Sequence, residues 1–111
     1  MQDRSKTHPN ITMTSPDLTN QIEKILPGIL ALRHDLHQHP ELAYEEHRTA
    51  AKVLEYLSDI EGLHIRQKIG GTGLVITVGE ELKGPCVALR ADIDALPIQE
   101  ANEAPYRSKR I

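Results

Sequence analysis

The sequence contains no tryptophan and no phenylalanine, and aromatic residues make up only 3% of its 111 residues. Any hydrophobic core must therefore be built from aliphatic side chains. The single cysteine, Cys86, has no partner for an internal disulfide, which favours a reducing cytoplasmic location. No apolar run approaches the roughly 20 residues that a membrane-spanning helix needs, so we expect no membrane partner.

An excess of positive charge is also missing. The formal net charge is −3, with 39% hydrophobic and 26% charged residues. This balance is typical of an ordinary soluble protein and excludes both a disordered tail and a basic nucleic-acid binder. The length corresponds to one domain or a piece of one.

Two helices are predicted in the first half of the chain. Residues 1–14 show no sustained apolar periodicity, which predicts a flexible leader. Beyond them, apolar residues recur at alternating steps of four and three, the spacing of one helical face: Leu18, Ile22, Ile25, Ile29, Leu32 and Leu36. Pro27 predicts a bend and not an end, because this stripe continues past it until Pro40. The helical spacing resumes between Ala50 and Leu57, and Gly62 stops the second helix.

The period then changes from about 3.6 to 2, which predicts strands. "LHIRQKI" (63–69) and "LVITV" (74–78) are joined by "GGTG", which lacks the lysine and the following helix of a phosphate-binding loop and is predicted to be a turn. "CVALRADI" (86–93) predicts a third strand. The sequence therefore predicts an α/β fold in which two N-terminal helices pack on a mixed sheet.

A pair of carboxylates, Asp92 and Asp94, ends the predicted third strand. Residues two apart on a strand share one face, so the pair can belong to one site. Two carboxylates there could bind a cation, orient a histidine ligand, or act as acid and base. Alternatively, an aspartate caps a turn and Arg90 neutralises a carboxylate at the surface. The spacing alone favours this second interpretation.

His34 and His37 lie three residues apart in "RHDLHQHPEL" and suggest a metal site. The order of residues matches neither of the zinc-binding helical motifs H-E-x-x-H and H-x-x-E-H. A structural role, with imidazoles bonding to backbone groups near a helix end, is the favoured interpretation.

The segments "LRHDLHQHPELAYEEHRTA" (32–50), "IGGTGLV" (69–75), "VALRADIDALPIQE" (87–100) and "PYRS" (105–108) together resemble the N-terminal segment of the metal-dependent amidohydrolases. This family includes hippurate hydrolase, N-acyl-L-amino-acid amidohydrolase and the indole-acetyl-amino-acid hydrolases. The resemblance extends from about residue 32 to the last residue, with the blocks in the order that the family has.

The resemblance implies an incomplete piece of a zinc-exopeptidase-like catalytic domain that cleaves the amide bond of N-acyl amino acids with two divalent metal ions (zinc, manganese, cobalt or nickel). It implies that Asp94 supports a metal ligand without binding the metal itself, and that Asp92 contributes nearby. We expect residues 15–111 to form the N-terminal part of that domain, without its later metal-binding segments and without the lid domain that would make a homodimer.

Two hypotheses follow. In the first, the chain is an N-terminal fragment of an amidohydrolase that binds no metal stably and is inactive alone. In the second, it is a free-standing, non-catalytic α/β interaction module or a complementing subunit.

Overall fold

The computed structural model describes residues 15–109. Two helices precede two strands in this part of the chain: α1 (Ser15–Gln38), α2 (His47–Leu57), β1 (Leu63–Ile69) and β2 (Gly73–Val78). These elements confirm the predicted α/β class and lie where the apolar spacing places them. The predicted leader, residues 1–14, lies outside the described residues.

The chain divides into two compact units, the first ending at Ala31 and the second beginning at Leu32. The described part of the first unit is helical from Ser15 onward, and the helix continues through Pro27, so the proline does not end it, as predicted. Neither of the described helices is both long and apolar enough to cross a membrane.

The second unit contains the antiparallel hairpin formed by β1 and β2. Leu63 lies opposite Val78 and Ile65 opposite Ile76, and the register is interrupted between Arg66 and Ile69. Gly70 and Gly71 connect the strands with φ angles of +62° and +109°, which side chains other than glycine rarely adopt. Residues 70–72 of the "GGTG" stretch therefore form a turn, as predicted, and Gly73 begins β2.

The third strand predicted over residues 86–93 does not form in the described part of the chain. The sheet there has two strands, in the order β1–β2. The two are antiparallel, and no parallel partner makes the sheet mixed. A strand requires a neighbour that supplies ladder hydrogen bonds, and residues 86–93 have none. Of their large apolar side chains, Val87 and Leu89 are exposed and Ile93 is half-buried.

The buried positions of residues 15–109 are polar. Glu41, Glu46 and Thr49 are buried, whereas no apolar residue of this range reaches the same level of burial. On α2, the apolar residues at helical spacing are half-buried: Ala50, Val53, Leu54 and Leu57. Hydrogen bonds between loops and helix ends therefore organise the second unit more than a closed aliphatic core does.

Candidate functional site

Glu41 lies in the loop between the two helices and caps the start of α2. Its carboxylate accepts the backbone N–H of Arg48 at 3.0 Å and that of Thr49 at 2.5 Å. It also accepts the Thr49 hydroxyl at 2.7 Å. The first N–H groups of a helix have no partner within the helix and carry its positive dipole end, so a buried carboxylate is stabilised there. The loop that contains Pro40 and Glu41 is thereby fixed to α2.

The same residue also holds the segment that contains the two predicted site carboxylates. The backbone carbonyl of Glu41 accepts the N–H of Ala95 at 2.7 Å. Ala95 directly follows Asp94, so this bond fixes the end of "ADIDA" beside the start of α2. Glu41 therefore connects the start of α2 to the segment that carries Asp92 and Asp94.

Asp92 and Asp94 lie on an exposed segment. Arg90 Nη2 is 3.1 Å from Asp92 Oδ1, with side chains that are 91% and 73% exposed. Asp94 is exposed as well. The expected position at the rim of a buried strand is wrong for the described structure, because no neighbouring strand covers the segment. The Arg90 contact matches the surface interpretation of Asp92, while the catalytic roles of both carboxylates stay a prediction.

Both carboxylates line an open depression of about 600 Å³ in the second unit. His37, Glu41 and Glu100 also contribute to its wall, and apolar side chains such as Ile93 supply much of the rest. The structure thus brings the predicted pair to one surface with further acidic groups and an imidazole.

Glu100 joins two segments at this depression, and the sequence reasoning did not single it out. Its Oε2 accepts the backbone N–H of Ser108 at 2.6 Å, and both carboxylate oxygens lie within 3.0 Å of His37 Nε2. The Ser108 N–H, followed by the His37 ring, lowers the pKa of Glu100 below its ordinary value. The only signal in the sequence was that Glu100 and Ser108 both fall within the blocks that resemble amidohydrolases.

The segment 105–109 returns to the C-terminal end of α1. The Tyr106 ring stacks on His34 with a centroid distance of 4.0 Å and meets His37 edge-on at 5.5 Å. Lys109 N–H donates to the Gln38 carbonyl at 2.9 Å, which satisfies a free carbonyl of the last helical turn. The histidines predicted to have structural roles are engaged by an aromatic ring and a carboxylate.

Asp35 and Arg48 form a second connection between the helices within the second unit. Arg48 Nη2 donates to Asp35 Oδ1 at 2.9 Å, and His39 Nδ1 lies 2.9 Å from the Asp35 carbonyl. This last contact is an imidazole-to-backbone bond near a helix end, the kind of bond predicted for the neighbouring His34 and His37. The Arg48 guanidinium lowers the pKa of the Asp35 carboxyl. Asp35 Oδ2 and Arg48 Nη1 are buried without a hydrogen-bond partner.

Glu46 connects the start of α2 to the hairpin turn. The hydroxyl of Thr72 donates to Glu46 Oε2. This hydrogen bond lowers the pKa of the Glu46 carboxyl, because it stabilises the ionised form. The buried Glu46 carboxylate thereby holds the glycine-rich turn against the start of α2.

The donors of this region do not fit a two-metal centre. Among residues 15–109, no three histidine, cysteine, aspartate or glutamate side chains converge so that they could hold a metal ion. His37 and Glu100 bond to each other, and Asp92 bonds to Arg90. No chemical step can therefore be derived through a metal held by these residues.

Sequence comparison shows which proteins this α/β segment resembles. The chain is 44% identical over 96 residues to N-acetyl-L-cysteine deacetylase of Bacillus subtilis, covering 86% of this chain and 22% of the relative. It is 38% identical over 94 residues to hippurate hydrolase of Campylobacter jejuni, covering 85% and 22%. It is 35% identical over 97 residues to N-acyl-L-amino acid amidohydrolase of Geobacillus stearothermophilus, covering 87% and 26%.

The chain is therefore homologous to a segment of the amidohydrolases, which confirms the predicted resemblance. It spans about a quarter of the length of these relatives. No protein-family model matches the chain. No solved structure matches it either.

Proposed function

We propose that this chain is the N-terminal segment of a metal-dependent amidohydrolase that cleaves the amide bond of N-acyl amino acids, and that it is inactive by itself. The observation that carries this proposal is the identity of 35–44% to hydrolases of amide bonds over more than four fifths of the chain. The named relatives act on N-acetyl-cysteine, hippurate and N-acyl amino acids, so a substrate of this class is the simplest inference.

Two features of the described residues support the part of the proposal that concerns inactivity. Metal-binding donors do not converge between residues 15 and 109, so the two metal ions would need ligands from elsewhere. Large apolar side chains around the carboxylate pair, including Leu89, Leu96 and Ile98, remain exposed. An exposed apolar surface of this size indicates that another part of the protein would cover it.

Within this proposal, the chain positions groups and does not supply the metal centre. The backbone carbonyl of Glu41 accepts the N–H of Ala95 and so fixes the backbone position of the adjacent Asp94. Asp94 would accept a hydrogen bond from a ligand side chain supplied by another segment, which orients that ligand. The single free cysteine, Cys86, supports a cytoplasmic location.

A segment exchange tests the proposal. The homologous segment of Campylobacter jejuni hippurate hydrolase is replaced by this chain, and hydrolysis of N-benzoyl and N-acetyl amino acids is measured with added manganese, zinc or cobalt. We expect the chimera to hydrolyse such substrates and the isolated chain to show none of this activity. A folded chimera without activity would contradict the proposal and favour the alternative, a non-catalytic interaction module.

Matched variants of the chimera separate the role of Asp94 from an effect of general surface charge. We expect Asp94→Asn to lower kcat by about 100-fold, in line with the loss of a partner that orients a metal ligand. The control Glu103→Gln removes an exposed carboxylate of the same chain and should leave kcat unchanged. Equal activity of the two variants would remove Asp94 from the proposed site.

A further inference from the structure

Two contacts join the short stretch from His37 to Glu41 to the span that follows Asp94. The Glu41 carbonyl accepts the N–H of Ala95 at 2.7 Å, and the two carboxylate oxygens of Glu100 lie 3.0 Å and 2.9 Å from His37 Nε2. Residues 37–41, residues 95–100 and these two contacts thus form a closed ring. The ring consists of contacts already made within the second unit, so it does not depend on which surfaces another part of the protein covers.

The span from Ala95 to Glu100 has little freedom to absorb a movement at one of its ends. The N–H of Ile98 donates to the Leu96 carbonyl at 2.8 Å, which closes a three-residue turn around Pro97. The proline ring also fixes its own φ angle. A displacement of Glu100 is therefore passed along this span to Ala95 and to the residue before it.

The Glu100 carboxylate is a firm attachment point for the span. Its side chain is only 15% exposed, and it accepts the N–H of Ser108 at 2.6 Å in addition to the His37 contact. A carboxylate that several donors hold in a largely buried place is bonded more strongly than an exposed surface ion pair. Both oxygens are bonded within the chain, so Glu100 acts through the position of its neighbours and not by contact with a substrate.

Asp94 depends on its backbone for its position. Within residues 15–109, its side chain forms no hydrogen bond or ion pair. The bond from Ala95 to Glu41 fixes one point of the backbone beside it, and the chain can still rotate about a single point. The second contact, at Glu100, restricts that rotation. A side chain that orients another group must be held within about 0.5 Å of its productive position.

We propose that His37 and Glu100 are positioning residues for amide hydrolysis: their bond holds residues 95–100 against the end of α1 and so keeps Asp94 where it orients its partner side chain. This inference rests on the proposed function for the role of Asp94. The effect of the bond on Ala95 is a property of the chain itself, so it can be tested without activity.

Hydrogen exchange of the Ala95 amide tests the ring in the full chain. His37→Leu removes the donor to Glu100, whereas His37→Gln keeps an amide N–H close to the place of the imidazole Nε2. We expect the Ala95 amide to exchange at least about tenfold faster in His37→Leu and near the natural rate in His37→Gln. The amide of Leu54, within α2, is the internal control and should exchange at the natural rate in both variants.

Two results of this experiment would overturn the proposal. Unchanged exchange at Ala95 in His37→Leu would show that the bond to Glu100 does not hold the span. Equal acceleration at Ala95 and Leu54 would show that His37 supports the whole unit and does not position this span.

Steady-state kinetics of the chimera test whether the pair acts through Asp94. We expect His37→Leu to lower kcat about tenfold with little change in KM, and His37→Gln to restore most of it. In an Asp94→Asn background, the same His37→Leu change should lower kcat by less than about twofold, because its target is already lost. The control Gln38→Leu removes a different bond to the same segment, the one to the Pro105 carbonyl at 3.2 Å, and should leave kcat unchanged.

The outcomes distinguish this proposal from the proposed function. A folded but inactive chimera contradicts the proposed function and the role of the pair in hydrolysis, while the exchange at Ala95 still decides whether the pair holds the span. An active chimera that keeps full kcat in His37→Leu overturns the positioning role alone. An equal loss of kcat with and without Asp94 does so too.

Discussion

His37 and Glu100 are 63 residues apart in the sequence, and in the structure His37 Nε2 lies 2.9 Å from Glu100 Oε2. The same carboxylate accepts the N–H of Ser108. One acidic side chain thus joins the end of α1 to the segment that follows the aspartate pair. The candidate site depends on such links, because no buried apolar core in residues 15–109 holds its segments in place.

Stability should fall in acid through Glu100. The pKa of this carboxyl is lower in the folded chain than in the unfolded chain, so its contribution is complete above the unfolded pKa of about 4.3. It is lost as the pH falls through the lower folded pKa. Asp35 and Glu46 are shifted in the same direction and add to the effect. We expect the urea midpoint to drop between pH 6 and pH 3, and Glu100→Gln to flatten that dependence. A variant with the natural pH dependence would show that Glu100 does not contribute.

Removal of the α2 cap should destabilise the second unit. Glu41→Ala leaves the N–H groups of Arg48 and Thr49 without their acceptor, at a cost of about 2 kcal/mol. Urea denaturation followed by circular dichroism measures the change. Glu45→Ala, at an exposed position in the same loop, serves as the control and should stay within about 0.5 kcal/mol of the natural chain. Equal losses in both variants would argue against the capping role.

The Asp35–Arg48 ion pair should couple the helices only modestly. Both side chains are about one third exposed, so solvent screens their attraction. A double-mutant cycle with Asp35→Asn and Arg48→Met should give a coupling energy of about 1 kcal/mol. A coupling near zero would show that the contact seen at 2.9 Å does not contribute to stability.

The hydroxyl of Thr72 should control the ionisation of Glu46. Thr72→Val removes the hydrogen bond that is the largest cause of the lowered Glu46 pKa, so the pKa should rise toward the ordinary glutamate value. Titration of the Glu46 carboxyl carbon by NMR measures the shift. Thr77→Val, elsewhere in the same hairpin, should leave it unchanged. An unmoved Glu46 in the Thr72 variant would contradict the assignment of the cause.

Local patterns in the sequence were sufficient to predict the helices and the hairpin. The apolar stripe through Ile22 and Ile29 predicts α1, because helical spacing is a property of neighbouring residues. Gly70 and Gly71 predict the turn, because it needs positive φ angles. The blocks that resemble amidohydrolases were equally visible in the linear order of residues, and the relatives confirm them.

The tertiary structure alone decided whether residues 86–93 form a strand and which side chains meet at the depression. A strand needs a hydrogen-bonding neighbour, and no apolar alternation within "CVALRADI" can supply one. The partnership of Glu100 with His37 and the double role of Glu41 likewise join distant segments, so no local spacing encodes them. The residue pattern determined what each segment can become, and the contacts between segments determined which of those possibilities the molecule adopts.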